Sequence, residues 1–302
     1  MQLVVGVPTW CEQDSIRQCV MSVLDQGPLV ARVHVSDRSP NQESLRALAS
    51  LPTDERVCAR ANPAPTALRN FVDTGIWMLD ESGEDDWYAL LAGDDWWGPT
   101  VATSCVSAIR QSGADIAFPA YVWAHEKNER RMRPLALEYR WGAVRQMRLV
   151  FGGVQAQSEN IFYSIFTRRA FCSFLSELQS LDDEHAYGLD IGVSMRLAAK
   201  WRVVGVAGAS VHRRPSITPG VDYVRMGVDP PDNDWSPLRR RVHSFAFLVR
   251  SLWRISAQAP SPWGLLVFRP GLAAFWLLRF VVWRVLADLR HPTRARIEPK
   301  GL

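Results

Sequence analysis

The stretch Val4-Val5-Gly6-Val7-Pro8-Thr9-Trp10-Cys11-Glu12 decides how the chain reads. A short apolar run closed by a proline is the pattern of a buried strand, and the polar residues after it form a loop. Ile16, Cys19, Val20, Val23 and Leu24 then recur at helical spacing, with Asp14 as the expected N-cap. Strand, loop and helix follow again downstream. Residues 30–36 predict a second strand, 43–51 a short helix, and the region around Val57 a third strand. Leu68, Phe71, Val72, Gly75, Ile76 and Leu79 share one helical face, ahead of an acidic turn at 84–86 and a strand at 87–92. Residues 160–166 and 201–206 read as further strands, and 190–200 as a helix. The repeating β-α order predicts an α/β fold with a mostly parallel central sheet and helices on both faces.

In such sheets the loops after the strands' carboxyl ends form the ligand crevice, because successive connections diverge there. Three polar clusters fall at those predicted ends: 8–12, 36–39 and 93–95. The last holds the acidic pair Asp94-Asp95, which on its own is an ordinary solvated turn. At a strand end it is also what a Mg²⁺ or Mn²⁺ ion needs, one or two carboxylates completed by phosphate oxygens, and such an ion neutralises a departing diphosphate.

Bulk properties narrow the class. With 302 residues, 47% hydrophobic and 22% charged, the chain is long enough for one large domain and an appendage. The net charge of +4 conceals a division: residues 239–302 carry twelve Lys/Arg against two acidic residues, so the first 238 are acidic overall. Domain boundaries are therefore expected at 1–238 and 239–302. Five cysteines without a C-x-x-C pair argue against a disulfide framework or a cysteine zinc site and fit a reducing cytosol. The N-terminal residues lack the basic and long apolar segments of an export signal. Thirteen tryptophans suit a core, a sugar-binding face or a membrane interface equally.

The ordered motifs resemble the family 2 glycosyltransferases. Val7-Pro8-Thr9-Trp10-Cys11-Glu12 is similar to that family's opening I-P-T-Y-N-E, with Cys11 for Asn. Val35-Ser36-Asp37-Arg38-Ser39 resembles V-D-D-G-S, with Ser36 for the first Asp, and Leu68-Arg69-Asn70 resembles A-R-N. Leu90-Leu91-Ala92-Gly93-Asp94-Asp95-Trp96-Trp97-Gly98-Pro99 resembles L-D-x-D-D-x-x-x-P, with Ala92 for the first Asp. The resemblance implies a GT-A nucleotide-binding sandwich that transfers a hexose from a nucleoside-diphosphate sugar. It places Pro8, Thr9, Glu12 and Asp37 at base and ribose, Arg69 and Arg213 at the phosphates, and Asp94 at the sugar or metal. Asp95 is the first choice for the metal, with His212 as a further ligand. Asp190, in Tyr187-Gly188-Leu189-Asp190, resembles the family's catalytic base, with Asp182, Asp183 and Glu184 as competitors. Asn70 is expected to be structural.

The tail holds apolar helical segments at 245–255 and 271–289, broken by arginines and short of the roughly 18 apolar residues of a spanning helix. Amphipathic C-terminal helices with Trp253, Trp263, Trp276 and Trp283 and a basic end suit the inner face of the plasma membrane; a helical cap or a dimer interface is the alternative. The expected acceptor is a saccharide, lipid-linked, in surface-glycan synthesis. Nucleic acid is excluded as a partner by the acidic body and the absence of a binding motif. Rival readings are a sugar nucleotidyltransferase, whose Gly-rich phosphate loop is absent, and a nucleotide-sugar-binding membrane protein without catalysis.

Overall fold

A computed structural model describes residues 1–125, 128–132, 161–181, 193–194, 196–197 and 200–213. The expected boundary at 238/239 and the whole tail lie outside them. Among the described residues, nine strands form one sheet: β1 (Leu3–Thr9), β2 (Val30–Asp37), β3 (Val57–Ala61), β4 (Trp87–Leu90), β5 (Trp96–Trp97), β6 (Ile116–His125), β7 (Asn128–Met132), β8 (Ile165–Thr167) and β9 (Val203–Arg213). Their order is β3-β2-β1-β4-β8-β6-β9-β5, with β7 paired to β6. The helices are α1 (Ile16–Leu24), α2 (Glu43–Leu48), α3 (Ala67–Asp80), α4 (Val101–Ser112) and α5 (Arg168–Gln179).

The block β3-β2-β1-β4 is wholly parallel. Strand β8 joins both β4 and β6 antiparallel, and β6 pairs β9 parallel. The two reversals cancel, so β6 and β9 run with β1. His212 and Arg213, at the carboxyl end of β9, therefore reach the same sheet edge as Thr9, Asp37 and the 93–95 loop.

All seven residues of β1 are buried, as befits a strand covered on both faces. Helices α3 and α5 cover one face, while α1 with α2 covers the other. Gly75 is where α3 meets α5: a Cβ there would lie 2.9 Å from Leu175 Cδ1, so Leu175 fills the space the missing side chain leaves. Beneath α5, Tyr88 stacks on Phe171 at 4.9 Å and Phe166 on Phe174 at 5.1 Å, a dense aromatic core.

Several boundaries differ from expectation. Strand β1 runs through Pro8 to Thr9. Leu91 N–H donates to Gly6 O, so by alternation Pro8 also turns toward β4, whose ladder has already ended at Leu90; the missing N–H forfeits no bond. Helix α1 starts after Ser15 without a side-chain cap, and Glu12 O accepts from the Ser15 and Ile16 N–H groups instead of an Asp14 cap. Helix α2 stops at Leu48, and β4 stops at Leu90 because the chain turns there, Asp95 N–H donating to Ala92 O at 3.0 Å. The strand expected at 160–166 shortens to Ile165–Thr167, while β9 extends from 203 to 213.

One buried group makes stability depend on pH. His34, fully buried on β2, meets Trp77 edge to face at 4.5 Å, and neither ring nitrogen has a hydrogen-bond partner. Burial lowers its pKa to about 4, Arg32 and Arg60 acting in the same direction; the Glu81 carboxylate, 4.0 Å away, only partly offsets them. Above about pH 6.5 both folded and unfolded forms are neutral at this site. As pH falls toward 4 the unfolded chain takes the proton first, so stability declines by roughly 3 kcal/mol across that window. Denaturant titrations at several pH values should show the decline in wild type and a flatter profile in His34→Leu; parallel profiles would refute the assignment.

Candidate active site

Thr9 and Asp37 are register partners at the ends of β1 and β2, and Arg38 N–H donates to Thr9 O at 3.0 Å. Beyond Thr9 the chain turns sharply at Cys11, whose φ of 53° lies in the left-handed region. Ser39 Oγ accepts the Cys11 N–H at 2.7 Å and ties the two loops together. The turn brings Glu12 back against its own strand, with Thr9 Oγ1 donating to Glu12 Oε2 at 2.5 Å and Glu12 N–H donating to Ser44 Oγ at 3.2 Å.

The loop after β4 closes on the same spot. Gly93 lies so close to Glu12 that a Cβ would collide with its carboxylate and sit 2.7 Å from Thr9 Oγ1. Only glycine permits this approach. Cys19 on α1 backs the loop, its thiol donating to Ala92 O at 3.5 Å. Asp95 is buried, at 1% exposure, and Asp94 is half-buried. Burial and then the Asp94 carboxylate, with Asp95 adding to them, push the Glu12 carboxyl well above its usual range, against the Thr9 hydrogen bond. The Glu12 carboxyl thus feels both Asp94 and Asp95 at the carboxyl ends of β1 and β4.

This donor set fits a hard divalent cation, because carboxylate oxygens suit Mg²⁺ and Mn²⁺ and because the repulsion that raises Glu12 is what such a charge relieves. Among the described residues, no three His, Cys, Asp or Glu side chains form a ready metal-ligand group. The expected trio Asp94, Asp95 and His212 is therefore not gathered as a cage. What fits is Asp94 and Asp95 completed by ligand oxygens, the mode Mg²⁺ ordinarily adopts. His212 stands beside the pair: Trp96, next in sequence to Asp95, is its register partner and stacks on its ring at 5.4 Å, while His212 Nε2 lies 3.0 Å from Ser210 Oγ.

The other expected residues take varied positions. Asp37 is buried and its carboxylate is engaged within the loops: Oδ1 accepts the Ser39 N–H and hydroxyl, and Oδ2 accepts Leu45 N–H at the start of α2. Arg69 is half exposed on α3 and paired with Asp73 at 2.9 Å. Asn70 is buried and ties three strand ends, donating to Thr9 O and Ser36 O and accepting from Ser36 Oγ and Asn62 Nδ2. Pro8 lies in β1 against Ser36, and Arg213 ends β9. Asp190 and its competitors Asp182, Asp183 and Glu184 lie outside the described residues. The segment after Asp190 is helical where described, and Arg196 pairs with Glu177 of α5 at 2.8 Å. Sequence reading placed Trp10 and Ser39 within the crevice clusters without giving either a role, and it missed Ser44, which accepts the Glu12 N–H. The five cysteines are free thiols, and no helix among the described residues is long and apolar enough to cross a membrane.

Comparison with known proteins addresses the family directly. No curated protein matches the chain. Among solved structures, S. aureus TarS 1-349 in complex with UDP is similar at a TM-score of 0.53 and 12% identity, over 86% of this chain and 75% of that one. S. aureus TarS 1-349 by itself gives a TM-score of 0.54 at 10% identity, over 90% and 88% of the two chains. With UDP-GlcNAc the values are 0.52 and 12%, over 93% and 81%. These likenesses show the GT-A fold. The family model described as Glycosyl transferase family 2 matches residues 4–176, a span that holds all three crevice loops. Since that span exceeds half the chain, the protein belongs to glycosyl transferase family 2 and is a glycosyltransferase.

Proposed function

We propose that this glycosyltransferase moves a hexose from a nucleoside-diphosphate sugar to a saccharide acceptor, with a divalent metal and with inversion at the anomeric carbon. The observation that carries the reading is the convergence of Glu12, Asp94 and Asp95 where β1 and β4 end. The solved complexes of S. aureus TarS with UDP and UDP-GlcNAc support a nucleotide-sugar as donor.

Mg²⁺ or Mn²⁺ held by Asp94 and Asp95 would supply charge neutralisation for the departing diphosphate. Asp95, buried, is placed to hold its carboxylate in one position, while Asp94 stands at the mouth. Glu12, fixed by Thr9, closes the floor; with Pro8 and the Asp37-braced loop it shapes the nucleoside side of the crevice. Arg213 at the end of β9, and Arg69 once released from Asp73, are the cations for the diphosphate. In the transfer step the acceptor hydroxyl attacks the anomeric carbon as the bond to the diphosphate oxygen breaks. Its proton passes to a carboxylate, for which Asp190 is the candidate.

The test is release of nucleoside diphosphate from a panel of nucleotide-sugars, with and without Mn²⁺. Metal-dependent release from at least one donor is expected, and no turnover with any donor would overturn the reading. The acceptor is proposed to be lipid-linked, in surface-glycan synthesis, with residues 239–302 lying on the inner face of the plasma membrane. Their charge balance of twelve basic to two acidic residues favours an anionic surface. Protein truncated after Leu238 should lose co-flotation with anionic liposomes; undiminished flotation would reject the membrane role.

A further inference from the structure

Asp37 stands where a nucleobase-reading carboxylate was expected, yet both of its oxygens are committed to Ser39 and Leu45. The next residue is placed differently. Thr9 and Asp37 end their strands side by side, so Trp10 and Arg38 are the first residues beyond the sheet on adjacent loops. The Arg38 guanidinium lies over the Trp10 ring, 5.3 Å from its centre, and Nη1 donates to Pro65 O at 2.9 Å. Pro65 precedes α3, so this one side chain spans the rim from the β1 loop to the β3–α3 loop. Both anchors are firm: the Cys11 turn is held by Ser39, and Arg38 N–H is held by Thr9 O.

We propose that Arg38, braced by Trp10, reads the nucleobase of the donor and favours uracil, thymine and guanine over adenine and cytosine. The inference rests on the nucleotide-sugar reading of the site and adds the class of base. Its chemistry is directional. A guanidinium has five N–H donors and no acceptor. Uracil, thymine and guanine present an exocyclic oxygen, at O4 or O6, where cytosine and adenine present an amino group that also donates. Two donors facing one another leave both unsatisfied in a partly desolvated rim, whereas a charged donor on a carbonyl oxygen gains a bond stronger than a neutral one. The indole adds a flat apolar wall and holds the guanidinium in plane, so lysine, a point charge without the fork, is a poor substitute.

The experiment is calorimetric binding of UDP, GDP, CDP and ADP, each with Mn²⁺, to the full chain and to Arg38→Gly, Arg38→Lys and Trp10→Ala. Wild type should bind UDP and GDP at least about tenfold tighter than CDP and ADP. Arg38→Gly should weaken UDP and GDP until the ratio falls to about threefold or less, leaving CDP and ADP nearly unchanged; Arg38→Lys and Trp10→Ala should fall between. With the turned-over donor, KM should rise and kcat should hold, because the base is remote from the bond that breaks. Thermal melts of each variant separate misfolding from lost recognition. An equal base preference in wild type and Arg38→Gly, both folded and both binding, would overturn this proposal alone. Failure of wild type to bind any of the four would remove the donor reading and this one with it.

Discussion

Asp95→Ala is expected to lower turnover by about 10²- to 10³-fold at saturating donor, the scale on which enzymes lose rate when a fixed group that stabilises developing charge is removed. The side chain is 1% exposed in a turn closed by its own backbone N–H, so the fold fixes where its carboxylate stands. Asp95→Asn should lose nearly as much, since it keeps the shape and discards the charge. Stability should move the other way. Asp94 and Asp95 both raise the Glu12 carboxyl, so deleting one negative charge relieves repulsion in the metal-free protein. The midpoint of thermal unfolding without metal should therefore hold or rise, while the stabilisation gained on adding Mn²⁺ should shrink. Unchanged turnover in a folded Asp95→Ala protein would remove Asp95 from the metal site.

Asn70→Ala is expected to be the most destabilising single change, by about 2–4 kcal/mol, because it leaves several buried partners unsatisfied at once. Its amide donates to Thr9 O at 3.3 Å and Ser36 O at 3.0 Å, and accepts from Ser36 Oγ at 2.7 Å and Asn62 Nδ2 at 2.9 Å. Water has little access, since Asn70 is 2% exposed and Ser36 fully buried. Asn70→Asp keeps the acceptors and loses two donors, so it should fall short of wild type as well. Chemical denaturation gives the number. A loss below 1 kcal/mol in the alanine variant would mean that the strand ends hold together without the amide. Donor affinity should fall in parallel, because Thr9 carries both Glu12 and the Arg38 backbone bond.

In the parallel block β1 and β4 were legible as short apolar runs that end near Pro8 and Gly93, and α1 and α3 each show a buried stripe. Helices α4 and α5 were equally readable in principle: Val101, Ala102, Cys105, Val106 and Ile109, and Ala170, Phe171, Phe174, Leu175 and Leu178, repeat with helical period. Strands of two and three residues, β5 and β8, are too short to carry any period, and it is they that set the antiparallel joints and bring His212 to Trp96. At the site, Asp94 and Asp95 could be picked out from their place after a strand. That Glu12 returns to meet them could not, because it depends on the left-handed turn at Cys11 and on the missing side chain of Gly93. Nor could sequence reveal that Asp37 is consumed inside its own loop, since hydrogen bonds to Ser39 and Leu45 leave no compositional trace.

Strand β8 has a consequence for synthesis. Within the strand order, its three residues join the β3-β2-β1-β4 block to the β6-β9 pair. Residues 3–90 can pair among themselves as soon as they leave the ribosome, yet the outer edge of β4 stays open until Thr167 has been made. For the length of some 75 residues of translation, the nascent chain therefore carries an apolar sheet edge with unpaired amides, the feature that seeds intermolecular strand pairing. Premature termination anywhere in that interval should yield aggregates rather than a smaller soluble domain, and slow codons placed there would be harmful out of proportion to the residues they encode.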